Sequence, residues 1–199
     1  MTDAGPFAKL AHMDEKPNPI LHAAINQRVE IQPYDPGWPA RFASERTRLL
    51  QLFPGAFRGI EHFGSTAVPG LAAKPIIDIL AGVESMLVAD EILLPLCQAG
   101  YDTSKEFNAT LKNERWLMLH ENGKRTHHLH LVLHDQSEWR RKLAFRDALR
   151  ADRALAVRYE TLKRTLASLH SDDREAYTAA KSEFITSVVP PRNESPLQT

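Results

Sequence analysis

The loop that follows the short sequence "EHF" combines residue types suited to binding an anion. Gly64 would let a ligand approach the main chain closely, and Ser65 and Thr66 offer hydroxyl and amide groups. Lys74 adds a positive charge. We therefore predict that Gly64, Ser65, Thr66 and Lys74 bind phosphate. Glycine and proline are also typical of any tight connection between strands, so the loop by itself leaves both interpretations open.

A single carboxylate, Asp78, interrupts the apolar run "PIIDIL". A charged carboxylate between Ile77 and Ile79 is costly to remove from water unless it is paired or binds a metal ion. We predict that Asp78 is a metal ligand and catalytic carboxylate, with Lys74 as a second catalytic residue. The alternative is a structural ion pair between Asp78 and Lys74 or an arginine.

The histidines are concentrated in one part of the chain. Five of the nine lie within fifteen residues, at positions 120, 127, 128, 130 and 134. His128 and His130 are two apart in a predicted strand, so both side chains project from one face, as two metal ligands on one strand must. We predict that His128 and His130 bind a metal ion with Asp78. The alternative is a half-exposed strand whose histidines only form hydrogen bonds. His127 should face the core.

The composition excludes several classes of partner. Lysine plus arginine and aspartate plus glutamate both number 25, so strong attraction to nucleic acid or to an anionic membrane is not indicated. Cys97 is the single cysteine, which indicates a reducing compartment. No apolar run approaches the roughly 20 residues of a membrane span. We expect a cytoplasmic protein that does not contact a membrane.

Periodicity and turn signals predict one α/β (α+β) domain at residues 29–189. A loose extension is expected at residues 1–28 and a disordered, proline-rich tail at 190–199. The expected order of elements is a helix, two strands, a second helix, a β-hairpin and three helices. The last three, with breaks near 150–152 and 170–172, should form a helical C-terminal layer.

The hairpin is predicted from the Asn-Gly pair at 122–123 between two alternating runs. Counting outward from a two-residue turn places Arg115 opposite His130, and Leu117 opposite His128. Paired residues share a face, so Arg115 should lie beside both histidines. Trp116 and the other alternate residues should then face the core.

Three separate stretches resemble the GrpB family, a bacterial group of the nucleotidyltransferase superfamily. They are "HFGSTAVPGLAAKPIIDIL", "HHLHLVL" and "YETLKRTLASLHSDDREAYTAAKSEFI". The resemblance runs over nearly the whole predicted domain and implies a polymerase-β-like nucleotidyltransferase fold, with a mixed sheet flanked by helices. Some family members are fused to dephospho-CoA kinase, which implies a possible link to a kinase of coenzyme A biosynthesis.

The superfamily pattern places a Gly-Ser turn about ten residues before an acid-hydrophobic-acid triplet. Gly64 and Ser65 supply the turn and Asp78 the first acid, but Leu80 occupies the position of the second. His128 and His130 lie where a later acid is expected. Magnesium prefers oxygen ligands, whereas imidazole suits manganese, zinc or nickel. The departure from the pattern therefore implies a single-metal site for manganese, zinc or nickel rather than for magnesium alone.

The leading hypothesis for function is a nucleotidyltransferase-like protein that binds a nucleotide, such as a nucleoside triphosphate, or a phosphorylated metabolite. Lys74 and Arg115 would neutralise phosphate charge, and Tyr177 and Lys181, spaced i and i+4 on a helix, would contact a phosphate or a base. One alternative is a catalytically silent module that binds the same ligand. Another is a metal-dependent phosphoester hydrolase on the same fold. Substrate, acceptor and oligomeric state stay open.

Overall fold

The computed structural model of the chain describes residues 28–171 and 173–190. The predicted extension and tail therefore lie outside the described residues, except for Arg28 and Pro190. The helices are α1 (Trp38–Leu52), α2 (Met86–Gln98), α3 (Lys105–Ala109), α4 (Ser137–Ala151), α5 (Arg153–Leu169), α6 (Arg174–Ala180) and α7 (Ser182–Val188), and the strands are β1 (Gly59–Phe63), β2 (Ile77–Val83), β3 (Glu114–Glu121) and β4 (Lys124–Leu133). None of the helices in these residues has the length and apolar composition needed to cross a membrane.

The four strands form one mixed sheet in the order β1-β2-β4-β3. β2 and β4 are parallel, whereas β1 and β3 run antiparallel to their neighbours. The predicted α/β class with a mixed sheet flanked by helices is confirmed. β2 is buried at every position except Asp78, as expected for a central strand covered on both faces.

The order of elements matches the prediction with three additions. A 3₁₀ turn at Ser65–Ala67 follows β1, and the short helix α3 precedes β3. The last predicted helix is interrupted at Lys181 and becomes α6 and α7. The predicted break near 150–152 is confirmed, because the Asp152 side chain accepts a hydrogen bond from the Leu155 N–H at 3.0 Å and so caps α5.

One face of the sheet forms the main apolar core with α1 and α2. Ile77 and Ile79 of β2 pack there with Leu129 and Leu131 of β4, and Trp38 of α1 is buried against them. These side chains occupy alternate strand positions and therefore share a face. The residues between them project to the opposite face.

The register of the hairpin differs from the prediction by one residue. Trp116, not Arg115, lies opposite His130. A β-bulge shifts the pairing between residues 119 and 120, where β4 contains one extra residue, Thr126. Trp116 therefore shares the face of the β4 histidines instead of facing the core. The two histidines keep a common face, as predicted, because alternation along one strand does not depend on register.

Arg115 consequently projects to the apolar-core face of the sheet. Its Nε donates to Asp90 Oδ1 at 2.6 Å and its Nη2 to Asp90 Oδ2 at 3.0 Å. Asp90 belongs to α2, which covers this face. The predicted position of Arg115 beside His128 and His130 is therefore wrong, and the cause is the bulge.

The C-terminal helices pack against the other face of the sheet. Trp139 of α4 is buried with Leu80 and Val132 of the two central strands. Further along the layer, Phe145 of α4 and Tyr159 of α5 are packed edge to face, with ring centroids 5.1 Å apart. The predicted helical C-terminal layer is confirmed, and a cavity lies between it and the sheet.

Candidate functional site

The cavity has a volume of about 380 Å³, within the range of roughly 300–1,000 Å³ typical of small-molecule sites. Six lysines or arginines and three carboxylates line it among the described residues. The aromatic residues that line it are Phe63, Phe107, Trp116, Phe145, Tyr159 and Tyr177. This combination of cationic and aromatic groups suits an anionic ligand with a planar or apolar part.

Asp78, His128 and His130 form a cluster on the cavity side of the sheet. One potential ligand atom from each lies within 4.8 Å of the other two, which is close enough for one metal ion. Asp78 and His128 are directly paired across β2 and β4, with His128 Nδ1 3.0 Å from Asp78 Oδ1. The prediction that these three residues come together is confirmed.

Burial and charge together set the protonation of this cluster. Burial alone would raise the pKa of Asp78, but the hydrogen bond and charge of His128, with His130 and Lys74, lower it to about 2. Burial lowers the pKa of His128 to about 3, although Asp78 opposes this shift. Near neutral pH the pair therefore consists of a carboxylate and a neutral imidazole, the forms that bind metal ions.

A second carboxylate, Glu114, reaches the cluster from the first position of β3. Its Oε1 lies 2.5 Å from His130 Nδ1. Its Oε2 forms an ion pair with Lys142 of α4, at 3.0 Å from the Nζ atom. Burial alone would raise the pKa of Glu114, but Lys142 and His130 hold it at about 2. A carboxylate that accepts from one ring nitrogen of a histidine fixes the ring and leaves the other nitrogen for a ligand.

Gly64 brings the main chain against the Asp78 carboxylate. Its φ of 71° favours glycine, and an added Cβ would lie 2.3 Å from Asp78 Oδ2. A side chain at this position would therefore displace the carboxylate. The Gly-Ser turn and the Asp78 carboxylate are in direct contact, which explains why the turn needs glycine.

The two hydroxyl residues of the turn have different surroundings. The Ser65 side chain lines the cavity together with Tyr159. Thr66 also borders the cavity, but its Oγ1 donates to the Ile76 carbonyl at 3.2 Å and lies 3.0 Å from His62 Nε2. The hydroxyl of Thr66 therefore holds the loop together, and Ser65 is the better placed of the two to meet a ligand.

Charged side chains of α4 and α5 hold the main chain of this loop. The contacts are Arg146 Nη1 to His62 O at 3.0 Å, Arg150 Nη2 to Ala67 O at 2.8 Å, Lys163 Nζ to Ala72 O, and Ala72 N to Glu160 Oε2 at 3.1 Å. The helical layer thus fixes the loop on one side while the sheet fixes it on the other.

Lysines and tyrosines line the cavity beside Asp78, His128 and His130. The Nζ atoms of Lys74 and Lys181 lie 4.9 Å and 4.3 Å from the ring centroid of Tyr177. Lys163 Nζ lies 5.1 Å from the centroid of Tyr159. Lys74, Tyr177 and Lys181 therefore line one cavity together with Asp78, as the sequence predicted.

Comparison with known proteins identifies the family. Residues 28–190 match the model of the GrpB protein family. The chain belongs to the GrpB family. A crystal structure of the conserved protein GrpB from Enterococcus faecalis is similar to this GrpB-family chain, with a TM-score of 0.71 and 39% sequence identity. The similarity covers 80% of this chain and 94% of that one.

Longer relatives share the same family region. The UPF0157 protein YqkA of Bacillus subtilis is 36% identical over 166 residues, which is 83% of this chain and 48% of the relative. A dephospho-CoA kinase of Mycolicibacterium paratuberculosis is 31% identical over 178 residues, which is 78% of this chain and 44% of the kinase. The GrpB-family chain thus spans about half the length of these two relatives.

Glu114 and Lys142 also line the cavity of this GrpB-family chain, and neither of them was among the predicted site residues. Glu114 lies two residues before Trp116 on β3, so the correct hairpin register would have placed it on the face of the histidines. Lys142 gave no such signal, because a lysine on a helix is usually solvated. Its position depends on how the helical layer packs against the sheet.

Proposed function

We propose that this chain binds a nucleotide or a phosphorylated metabolite together with one divalent metal ion and transfers a nucleotidyl group. The observation that supports this proposal is the shared cavity. The cluster of Asp78, His128 and His130 lines the same space as Gly64, Ser65 and Lys74. A phosphate held by the loop would therefore lie next to a metal ion held by the cluster.

The donor atoms of the cluster fit a divalent transition metal. One carboxylate and two imidazoles suit manganese, zinc or nickel better than magnesium alone. Among the described residues, the buried Nε2 of His128 has no hydrogen-bond partner, so the protein alone does not satisfy this ring. Asp78, His128 and His130 would hold the ion, which, when bound, would supply Lewis-acid stabilisation of phosphoryl oxygens.

The remaining residues of the chain would bind and orient the ligand. Ser65 and the main chain at Gly64 are placed to contact phosphate oxygens, and Lys74 and Lys181 to offset their charge. Tyr177, 1% exposed, gives both lysines a rigid surface to pack on. The mixed sheet with its helical layer is compatible with a polymerase-β-like nucleotidyltransferase fold, which we include in the proposal.

One observation favours a second candidate, a silent module that binds the same ligand without turnover. Leu80 occupies the position of the second acid in the superfamily pattern and is completely buried. Two-metal nucleotidyl transfer uses several carboxylates around a pair of ions, and a buried leucine supplies none. Turnover measurements therefore have to accompany binding measurements.

The first experiment is metal analysis of the protein purified without a histidine tag, followed by calorimetry with ATP and with dephospho-CoA. We include dephospho-CoA because of the kinase relative. A stoichiometric transition metal, with a nucleotide affinity that depends on it, would support the proposal. No metal, and no nucleotide binding after magnesium or manganese is added, would contradict it. Metal-dependent binding without turnover would favour the silent module, and product release without an acceptor would favour a hydrolase.

The matched substitution is Asp78→Asn, which keeps the shape of the side chain and removes its charge. We expect metal affinity to fall by more than the roughly 10–100-fold that loss of an outer-shell partner costs, with the fold intact by circular dichroism. Asp90→Asn is the control, because Asp90 pairs with Arg115 on the opposite face of the sheet. An unchanged metal affinity in Asp78→Asn would remove Asp78 from the ligand set.

A further inference from the structure

Three lysine ammonium groups come together in the cavity around two buried tyrosines. Lys74 and Lys181 lie over the ring of Tyr177, and Lys163 lies over the ring of Tyr159. The tyrosine rings are 1% and 5% exposed, so they form a fixed floor for the lysines. The lysines come from the loop before β2, from α5 and from the junction of α6 and α7.

Lys163 is an unusual member of this group because it is only 2% exposed. Its Nζ donates one hydrogen bond, to the Ala72 carbonyl. An ammonium group has three donors, so this bond does not exhaust the donor capacity of Lys163. The residue also lines the cavity, which gives a ligand access to the group.

Among the described residues that line the cavity, basic side chains outnumber acidic ones. Six are lysines or arginines and three are carboxylates, and two of those carboxylates, Glu114 and Glu138, contact Lys142. The third is Asp78, which pairs with His128. The described part of the lining therefore presents several cationic side chains to an anionic ligand.

We propose that Lys74, Lys163 and Lys181 form a subsite for the terminal phosphates of a ligand that has a diphosphate or longer chain. This inference rests on the proposed function, because it takes the cavity to be the site of a phosphorylated ligand. A phosphate monoester has a charge of only about −1.5 to −2 near pH 7. A chain of two or more phosphates offers more charge and more acceptor oxygens to three ammonium groups.

The electrostatics of Lys163 agree with this assignment. Burial, together with the positive charge of Lys181, lowers the pKa of Lys163 to about 7. An anion bound between the two lysines would oppose both effects and favour the protonated form. In the free protein the positive charges of Lys163 and Lys181 repel each other. A bound polyphosphate would reduce that repulsion.

The test is calorimetry on metal-depleted protein with orthophosphate, pyrophosphate and tripolyphosphate. We expect pyrophosphate and tripolyphosphate to bind roughly tenfold or more tightly than orthophosphate, because they reach additional ammonium donors. Lys163→Gln and Lys181→Gln should each weaken pyrophosphate binding by about tenfold or more. Lys124→Gln, an exposed lysine at the hairpin turn, is the control and should leave binding unchanged.

Equal affinity for orthophosphate and pyrophosphate would overturn the inference, and so would full pyrophosphate affinity in either cavity variant. If Lys163→Gln fails to fold, Lys181→Gln alone decides the matter. Metal depletion separates this test from the metal centre. Unchanged metal affinity in Asp78→Asn with a preference for pyrophosphate would contradict the metal site alone. Loss of metal binding in Asp78→Asn without any preference for pyrophosphate would contradict the lysine subsite alone.

Discussion

At the scale of single residues, the contact between Glu114 and His130 bears on the proposed metal site. The contact with Nδ1 fixes the ring orientation, and the ion pair with Lys142 holds the carboxylate in turn. An imidazole oriented in this way offers Nε2 as a ligand atom, and the carboxylate increases its basicity. In the proposed site Glu114 would therefore position His130 and would not itself be a ligand.

Glu114→Gln tests this positioning role. The amide can still contact the ring but has no charge to increase its basicity, so we expect metal affinity to fall roughly 10–100-fold. Competition with a chromophoric chelator would measure the affinity, and Glu121→Gln at the exposed end of β3 is the control. Wild-type metal affinity in Glu114→Gln would show that His130 needs no orienting partner.

The element that determines most of the site is the connection between β1 and β2. It contacts Asp78 through Gly64, borders the cavity with Ser65, and is held by arginine, glutamate and lysine side chains of the helical layer. The Gly-Ser turn and Asp78 could be predicted from residue type and local pattern. The hydrogen bonds from Arg146 and Arg150 to main-chain carbonyls could not be predicted, because contacts between residues about 80 positions apart leave no local signal in the sequence.

Gly64→Ala tests the contact between this loop and the cluster. The alanine would be strained, because a φ of 71° with a ψ of −171° lies in a region essentially confined to glycine, at a cost of about 1–3 kcal/mol. Its Cβ would also displace the Asp78 carboxylate. We expect both a lower stability in urea unfolding and a clear loss of metal affinity. Gly55→Ala is matched in φ, at 80°, but its Cβ would contact nothing within 4 Å. It should lose stability alone, and equal metal affinities in the two variants would contradict the contact.

In the hairpin, the facing of the β4 side chains could be predicted from the sequence, but their pairing with β3 could not. Alternation placed His128 and His130 on one face, and that held because it depends on β4 alone. The bulge at Thr126 shifted every pair of β3 and β4 residues on the side of the bulge away from the turn, which moved Trp116 and Glu114 to the histidines and Arg115 away from them. A bulge has no reliable mark in a single sequence, so the partners of the histidines could not be predicted.

At the scale of the whole molecule, the site brings together residues from different layers of the fold. Residues of the sheet, the β1–β2 loop and the C-terminal helices all line one cavity. Several of its neighbours are histidines that the folded protein keeps neutral by burial. His62, 7% exposed, is stacked on Phe42 of α1, with ring centroids 4.8 Å apart. Proton binding to such residues couples the stability of the entire fold to pH.

The stability of the fold should fall as the pH drops below 6.5. Burial, helped by the nearby Arg150 and Arg146 charges, lowers the pKa of His62 to about 4, whereas the unfolded chain binds this proton near pH 6.5. Between these values the unfolded state binds more protons than the folded state, so the free energy of unfolding decreases with falling pH. For His62 alone the loss from pH 8 to pH 5 is about 2 kcal/mol.

Urea unfolding of the wild type and of His62→Gln at pH 8 and pH 5 measures this contribution. We expect the difference between the two pH values to shrink by about 2 kcal/mol in the variant, because glutamine does not titrate. Phe42→Leu loosens the packing but keeps the histidine, so it should lower stability by similar amounts at both pH values. A variant His62→Gln that loses as much stability as the wild type on acidification would show that His62 is protonated without cost. The acid sensitivity of the fold would then have to come from the remaining buried groups, of which His128, in contact with Asp78, is the first to test.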